Sequence, residues 1–276
     1  MKSNNQTYDA RDIEVLEGLE PVRKRPGMYI GGTDDKALHH LAVEIIDNAM
    51  DEAISGYAKK IIVELIDKNY LCIHDDGRGI PVDEHPKFPG KPALEIIVGT
   101  LHAGGKFSDG AYRTSGGLHG VGISVVNALS EFLRIDVVRE KKLYRQTFAK
   151  GKPLTKLESL GPCGNKKGTA VFFKPDPEIF GDDISFSANK LIKECESKAY
   201  LLSGIIIEWK CNQKLISPNN PNTSETFCYP NGIIDFLEYK LKDTTLLNDN
   251  PFKGSIDFND KSKTELSGSM EWGCNW

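Results

Sequence analysis

HHLAVEIIDNAMDEA, residues 39–53, reads as one helix with two opposed faces. Leu38, Leu41, Ala42, Ile45, Ile46, Ala49 and Ala53 recur at spacings of three and four, which gathers them into an apolar stripe suited to a core. Glu44, Asp47, Asn48 and Asp51 recur in the same way and form a second stripe of carboxylates and a carboxamide. Like charges that close oppose one another, and no Lys or Arg lies between Leu38 and Ala58 to offset them. The polar stripe is either a solvated face or the wall of a site, and the helix alone leaves both open.

Downstream of this helix, KIIVELI (60–66) and YLCIHDD (70–76) read as two strands joined by a short polar turn. The second runs into HDDGRGIP, where two aspartates meet a Gly-Arg-Gly turn that lets backbone approach a ligand closely. As a site, a buried carboxylate there would accept from the exocyclic amine of a purine; as a turn, the same motif is common. DEHPKFPGKP (83–92) is a proline-rich loop before a short helix, ALEIIVGTL. From His102 to Gly122 there are seven glycines in 21 residues, interspersed with Lys106, Tyr112, Arg113 and His119. Such a stretch is either a linker or a lid that orders on a ligand. GGLHGVG leads straight into the helix ISVVNALS, so free amides would face an anion such as a phosphate. A P-loop is excluded because GxxxxGK[ST] is absent, and a dinucleotide fold because no strand immediately precedes the glycines.

EFLRIDVVRE, KLYRQTFA, PLTKLES and GTAVFFKP follow as strands, most simply antiparallel neighbours, with Thr169 in the last. A helix over 188–202 and the strand GIIIEWK complete the layer. Before the central helix, Asp12 caps an expected short helix, DIEVLEGL, ahead of Pro21. RKRPGMYIGG then reads as a solvated basic cluster (Arg23, Lys24, Arg25), a turn and a short strand. Residues 1–11 read as a polar arm whose Tyr8 is either incidental or an anchor on a partner chain. The shift to SPNNPNTSE at 217–225 marks an expected boundary. The domains are therefore an arm (1–11), a first domain (12–216) and a partial second domain (217–276) with a strand (TFCY), a helix (GIIDFLEYKLK) and a final strand, cut short at its end. The fold class is α+β, a two-layer sandwich of a mixed, largely antiparallel sheet covered by helices on one face.

The totals fit. Of 276 residues, 39% are hydrophobic and 27% charged, as in an ordinary globular protein. A net charge of −4 argues against a dedicated nucleic-acid surface. Six scattered cysteines without a CxxC pair read as free thiols. With no apolar run of signal-peptide or membrane-spanning length, the expected location is the cytoplasm, with no membrane partner.

Taken together, ExxxN on a helix, DDGRG, a lysine-bearing lid, GGLHGVG and a GT strand resemble the ATPase region of bacterial type II topoisomerase B subunits. That region belongs to the superfamily shared by gyrase, heat-shock-90 chaperones, histidine kinases and mismatch-repair proteins. RPGMYIGG, LHAGGKF and SGGLHGVG point to the topoisomerases, and PVDEHPKFPGKPALE resembles the topoisomerase IV branch more than the B subunit of gyrase, which is the alternative. A histidine kinase would need a phosphoacceptor helix, for which no room precedes Asp12. The second domain should then resemble a transducer, ribosomal-S5-like fold.

The resemblance implies ATP and Mg²⁺ as cofactors and assigns roles residue by residue. Glu44 is the general base toward the γ-phosphate, and His40 orients it. Asn48 holds Mg²⁺ through its side-chain oxygen. Asp75 accepts from the adenine amine, with Asp51, Gly79 and Thr169 in the same network. Arg78 pairs with Glu52, and Ile80 and Pro81 wall the base. Gly104, Gly105, Lys106 and Tyr112 belong to the lid. Gly117, Leu118, His119, Gly120, Val121 and Gly122 cradle the phosphates, Tyr8 lies in the dimerising arm, and Arg139 stands at the outer mouth.

It further implies dimerisation on ATP binding as a gate, reopened on hydrolysis. The whole enzyme would be a heterotetramer with A-type subunits that act on DNA, and heterocyclic inhibitors would compete with ATP. One departure stands out. The QTK segment that carries the family's γ-phosphate lysine is absent, and QTF at 146–148 lies in a first-domain strand. Loss of such a clamp costs on the order of 100-fold or more in rate, so binding should outlast turnover. A nucleotide-gated clamp with little catalysis is the reading from another class, and Glu44 argues against it.

Overall fold

A computed structural model describes residues 13–105, 120–215, 223–260 and 266–276. The central helix, α3 (Asp35–Ile54), follows the helices α1 (Glu20–Lys24) and α2 (Gly27–Ile30). Asp34 starts it by accepting from the Ala37 amide at 2.9 Å, which satisfies one of the amides left open at a helix start. Its apolar stripe is buried throughout, with Leu38, Leu41, Ala42 and Ile46 fully inaccessible.

That stripe lies on a mixed sheet, nine-stranded among the described residues, in the order β5 (Lys152–Pro153), β4 (Lys142–Ala149), β3 (Ser130–Arg139), β7 (Gly168–Pro175), β2 (Tyr70–Asp75), β1 (Lys60–Asp67), β8 (Ile206–Cys211), β9 (Ser224–Phe227), with β6 (Glu158–Pro162) beside β4. Its neighbours are antiparallel except β1 and β8, which run parallel. The parallel pair follows from chain routing, because helix α7 (Ala188–Leu201) lies between β7 and β8 and returns the chain across the sheet. Inward residues of the main strands, among them Phe148, Phe173 and Trp209, fill the core beneath α3, α7, α4 (Ala93–Gly99) and α5 (Gly122–Ala128). On β2, β3 and β7, Tyr70, Phe132 and Phe172 cluster on one another, and the Arg134 guanidinium lies 3.7 Å over the Phe172 ring. The Lys174 ammonium likewise lies 5.2 Å from the Tyr70 ring centroid, so two of these rings carry a cation over one face.

Past β9, α8 (Ile233–Leu241) and the antiparallel hairpin β10 (Phe252–Asp260) and β11 (Leu266–Cys274) form a smaller unit. It meets α7 where Tyr200 stacks on Tyr229 at 3.6 Å between ring centroids and packs edge-on against Phe236 of α8.

Several local expectations are corrected. Residues 13–17 are not helical, and the helix starts at Glu20, with Pro21 in its first turn, where the missing amide costs nothing. MYIGG is not a strand: Gly27–Ile30 forms one helical turn, closed by Gly31 in the left-handed conformation. PLTKLES is not one strand but two short ones, β5 and β6, with residues 154–157 between them. Arg23 is not solvated; it donates to Asp176, buried at 1% exposure, at 2.6 Å and to the Ala128 carbonyl at 2.8 Å. Ser224–Phe227, read as lying past the boundary at 217, pairs with β8 as the edge of the main sheet. The strand β10 and the short helix α6 (Pro177–Phe180) had no counterpart in the sequence reading.

The sheet sets one register that matters most: Asp75 at the end of β2 faces Thr169 at the start of β7. Gly168 permits the approach, since it holds φ +112° and an added Cβ would lie 1.9 Å from the Asp75 carbonyl oxygen. Gly168→Ala should therefore lose about 2–4 kcal/mol in urea unfolding through strain and steric conflict, with the secondary structure retained.

Candidate functional site

One cavity of about 500 Å³ opens between α3 and the sheet. Side chains one and two turns apart on α3 line it: Glu44, Asp47, Asn48, Asp51 and Glu52. The polar stripe of the sequence is thus the wall of a site. Opposite stand Ile73 and Asp75 of β2, Thr169 and Val171 of β7, and the turn Arg78–Pro81. Gly104, Gly105, Gly120 and Gly122 close the rim. Ile45, Ile97 and Ile123 make much of the remaining surface apolar, as a flat ring system requires.

At the Asp75 end the geometry is tightly determined. Asp75 is 6% exposed, and its Oδ1 accepts from the Gly77 amide at 2.8 Å. Burial is the largest influence on this carboxyl and, with Glu52 adding like charge, pushes its pKa up to about 7 against the lowering effect of the Gly77 amide. Thr169 Oγ1 accepts from the Ile80 amide at 3.2 Å, which ties the turn to the sheet. Arg78 forks onto Glu52, with Nη2 to Oε1 at 2.7 Å and Nε to Oε2 at 3.1 Å, and its guanidinium lies 3.8 Å from the Tyr57 ring centroid. Arg139, expected at the mouth, lines the cavity and donates to the Gly79 carbonyl at 3.0 Å.

At the other end His40 Nε2 lies 3.2 Å from Glu44 Oε1, one helical turn along α3. The hydrogen bond to Glu44 raises the His40 pKa, with partial burial opposing it. Glu44 abuts the start of α5 so closely that a Cβ on Gly122 would come within 2.1 Å of its Oε2. A side chain there would displace the Glu44 carboxylate. Val121 precedes α5 without lining the cavity. Tyr8, Lys106, Tyr112, Gly117, Leu118 and His119 lie outside the described residues.

Sequence reasoning missed several lining residues, Ile73, Ile97, Ala103, Ile123 and Val171 among them. It assigned Ile45 and Ala49 to the core alone, although they also line the cavity, and it gave Asp47 no role. Asp47 carried a usable signal, its place in the polar stripe; its partner, Lys198 of α7, is 151 positions away in sequence and gave none.

Among the described residues no group of three or more His, Cys, Asp or Glu side chains is arranged to hold a metal. Asn48, which lines the cavity, carries an amide oxygen of the kind a hard cation accepts.

Comparison with known proteins places these features. The profile described as histidine kinase-, DNA gyrase B-, and HSP90-like ATPase matches residues 33–179, which contain α3, the DDGRG turn and β7. The chain is 52% identical over 269 residues to the B subunit of DNA topoisomerase 4 from Caulobacter vibrioides, covering 98% of this chain and 38% of that protein. It is 50% identical to the Rickettsia bellii protein of the same name (99% and 40% covered) and 44% identical to the B subunit of DNA gyrase from Clostridium acetobutylicum (94% and 39%). The chain thus spans roughly two-fifths of the length of these relatives. The 43K ATPase domain of Thermus thermophilus gyrase B, solved in complex with an aminocoumarin, superimposes with a TM-score of 0.74 at 40% identity, covering 88% of this chain and 59% of that one.

The raised Asp75 pKa has a consequence for the unliganded protein. Because the folded value lies above the ordinary 3.8, this group's contribution to stability is full below about pH 4 and is lost as pH rises through about 7. Asp75→Asn keeps the acceptor for Gly77 without the charge. Melting curves should show the variant gaining on the parent between pH 4 and 8, ending about 2–4 °C higher.

Proposed function

The chain belongs to the histidine kinase-, DNA gyrase B-, and HSP90-like ATPase family, and from that premise we propose that its cavity binds ATP with Mg²⁺ and acts as the nucleotide-driven module of a DNA topoisomerase 4, within its B subunit. The observation that carries this reading is the pairing, in one cavity, of a buried acceptor at Asp75 with an α3 face bearing Glu44 and Asn48.

In this reading the adenine ring lies against Ile80, Pro81 and Val171, and its amine donates to the ionised Asp75 carboxylate. Thr169 and the Gly79 turn hold the rest of that edge. The triphosphate runs along α3 toward Glu44 and meets the rim glycines. Asn48 offers the side-chain oxygen for Mg²⁺, which supplies charge neutralisation on the phosphates when bound. Glu44 takes the proton from the attacking water, and His40 fixes the orientation of that carboxylate from the preceding turn. A clamp without catalysis would need neither Glu44 nor its histidine partner.

The names of the relatives support a place in an ATP-dependent type II topoisomerase. There, nucleotide binding would bring two such subunits together, an A-type partner would cleave DNA, and hydrolysis would reopen the gate. The gyrase B reading is second, because the topoisomerase 4 proteins are the more similar at 48–52% against 44% identity. We place the protein in the cytoplasm.

Calorimetric titration of a non-hydrolysable ATP analogue, with and without Mg²⁺, tests the site. Asp75→Asn should weaken binding about 10- to 100-fold, and Asn48→Ala should abolish the Mg²⁺ dependence. Affinity of the parent should fall as pH drops below about 7, because the protonated Asp75 carboxyl is an uncharged, weaker acceptor whose own O–H faces the amine as a competing donor. Equal affinity of parent and Asp75→Asn would refute the adenine assignment. Glu44→Ala should still bind, with residual hydrolysis reduced about 10²- to 10⁴-fold.

A further inference from the structure

Lys198 stands on α7, outside the cavity, yet its ammonium reaches a cavity residue. Its Nζ lies 2.5 Å from Asp47 Oδ1 and 3.6 Å from Glu194 Oε1, and the Lys198 and Asp47 side chains are only 18% and 22% exposed. Asp47 lines the cavity next to Asn48 and three residues from Glu44. The cavity's two cationic lining side chains among the described residues, Arg78 and Arg139, are engaged with Glu52 and the Gly79 carbonyl, toward the Asp75 end. The phosphate end of α3 therefore presents Glu44 and Asp47 with a lysine behind only the second of them.

A polyphosphate is strongly anionic, and an uncompensated carboxylate beside it in a half-buried cavity would oppose its entry. An ion pair sheltered from solvent neutralises that carboxylate without projecting a cation into the ligand space. It also holds the Asp47 carboxylate against Lys198 of α7.

We infer that Lys198 is a positioning residue for the nucleotide site: by neutralising and holding Asp47 it sets the pocket's preference for a nucleoside polyphosphate over the bare nucleoside. The inference rests on the ATP-site reading above. It goes beyond that reading in assigning ligand discrimination to a helix that does not line the cavity.

The test is titration of a non-hydrolysable ATP analogue and of adenosine into four proteins: the parent, Lys198→Met, Lys198→Arg and the double variant Lys198→Met/Asp47→Asn. Lys198→Met should bind the analogue about 10-fold more weakly while holding adenosine within about two-fold, since only the phosphates meet the exposed charge. Lys198→Arg should retain parental affinity for both. The double variant should recover the analogue, because the carboxylate that needed neutralising is gone. Should Lys198→Met unfold early, Lys198→Gln serves in the same comparison. Parental affinity for the analogue in the uncharged variant overturns the inference, as does an equal loss of both ligands or a double variant no better than Lys198→Met. Failure of the parent to bind either ligand is a separate result that overturns the nucleotide site itself.

Discussion

Five carboxylates, those of Glu44, Asp47, Asp51, Glu52 and Asp75, face a single cavity, and the surrounding structure is arranged to hold that charge in place. Like charges at this density repel one another, and burial removes the water that would screen them. The groups meet this in different ways. His40 pairs with Glu44 along the helix, Lys198 reaches Asp47 from a neighbouring helix, and Arg78 forks onto Glu52 from the turn. Asp75 instead retains a proton more tightly than an ordinary carboxyl and takes the Gly77 amide. These compensations come from α3 itself, from α7 and from the turn after β2, so the site exists only when α3, α7, β2 and that turn are assembled.

The apolar side of α3 makes this arrangement possible. Leu38, Leu41, Ile45 and Ile46 bury against the sheet, and burial of side chains of this size stabilises by about 1.5–3 kcal/mol each. That packing holds the helix while its opposite face carries net repulsion. Two of the same residues, Ile45 and Ala49, extend to the cavity, so the core and the ligand wall share side chains. A site built on a helix and two strands is held more firmly than one built on loops.

Periodic elements were legible in the sequence for physical reasons. The 3.6-residue stripe of α3 and the alternation along β3 and β7 report burial on one face, and both elements are where the pattern placed them. The errors fell on short segments, where a single tertiary contact outweighs local propensity. IEVLE, residues 13–17, has helical spacing but stays irregular, and RPGMYI closes into a helical turn because Gly31 terminates it. Arg23 looked solvated because nothing nearby in sequence announces Asp176, a buried partner 153 positions on. The edge strand β9 was assigned past a boundary because composition marks a loop and says nothing of where the chain pairs afterwards.

For the site, sequence by itself determined which α3 residues share a face and that an aspartate stands before a glycine-rich turn, because both follow from local periodicity and backbone chemistry. It left open whether that face was solvent or pocket. Only the tertiary structure decided this, by laying β2 and β7 opposite the helix and bringing Asp75 and Thr169 into register. The tertiary structure alone also placed Lys198 on Asp47, Arg139 on Gly79 and Gly122 against Glu44. Local patterns report how a residue relates to its own element; contacts between elements depend on how distant segments pack, which no spacing within one segment encodes.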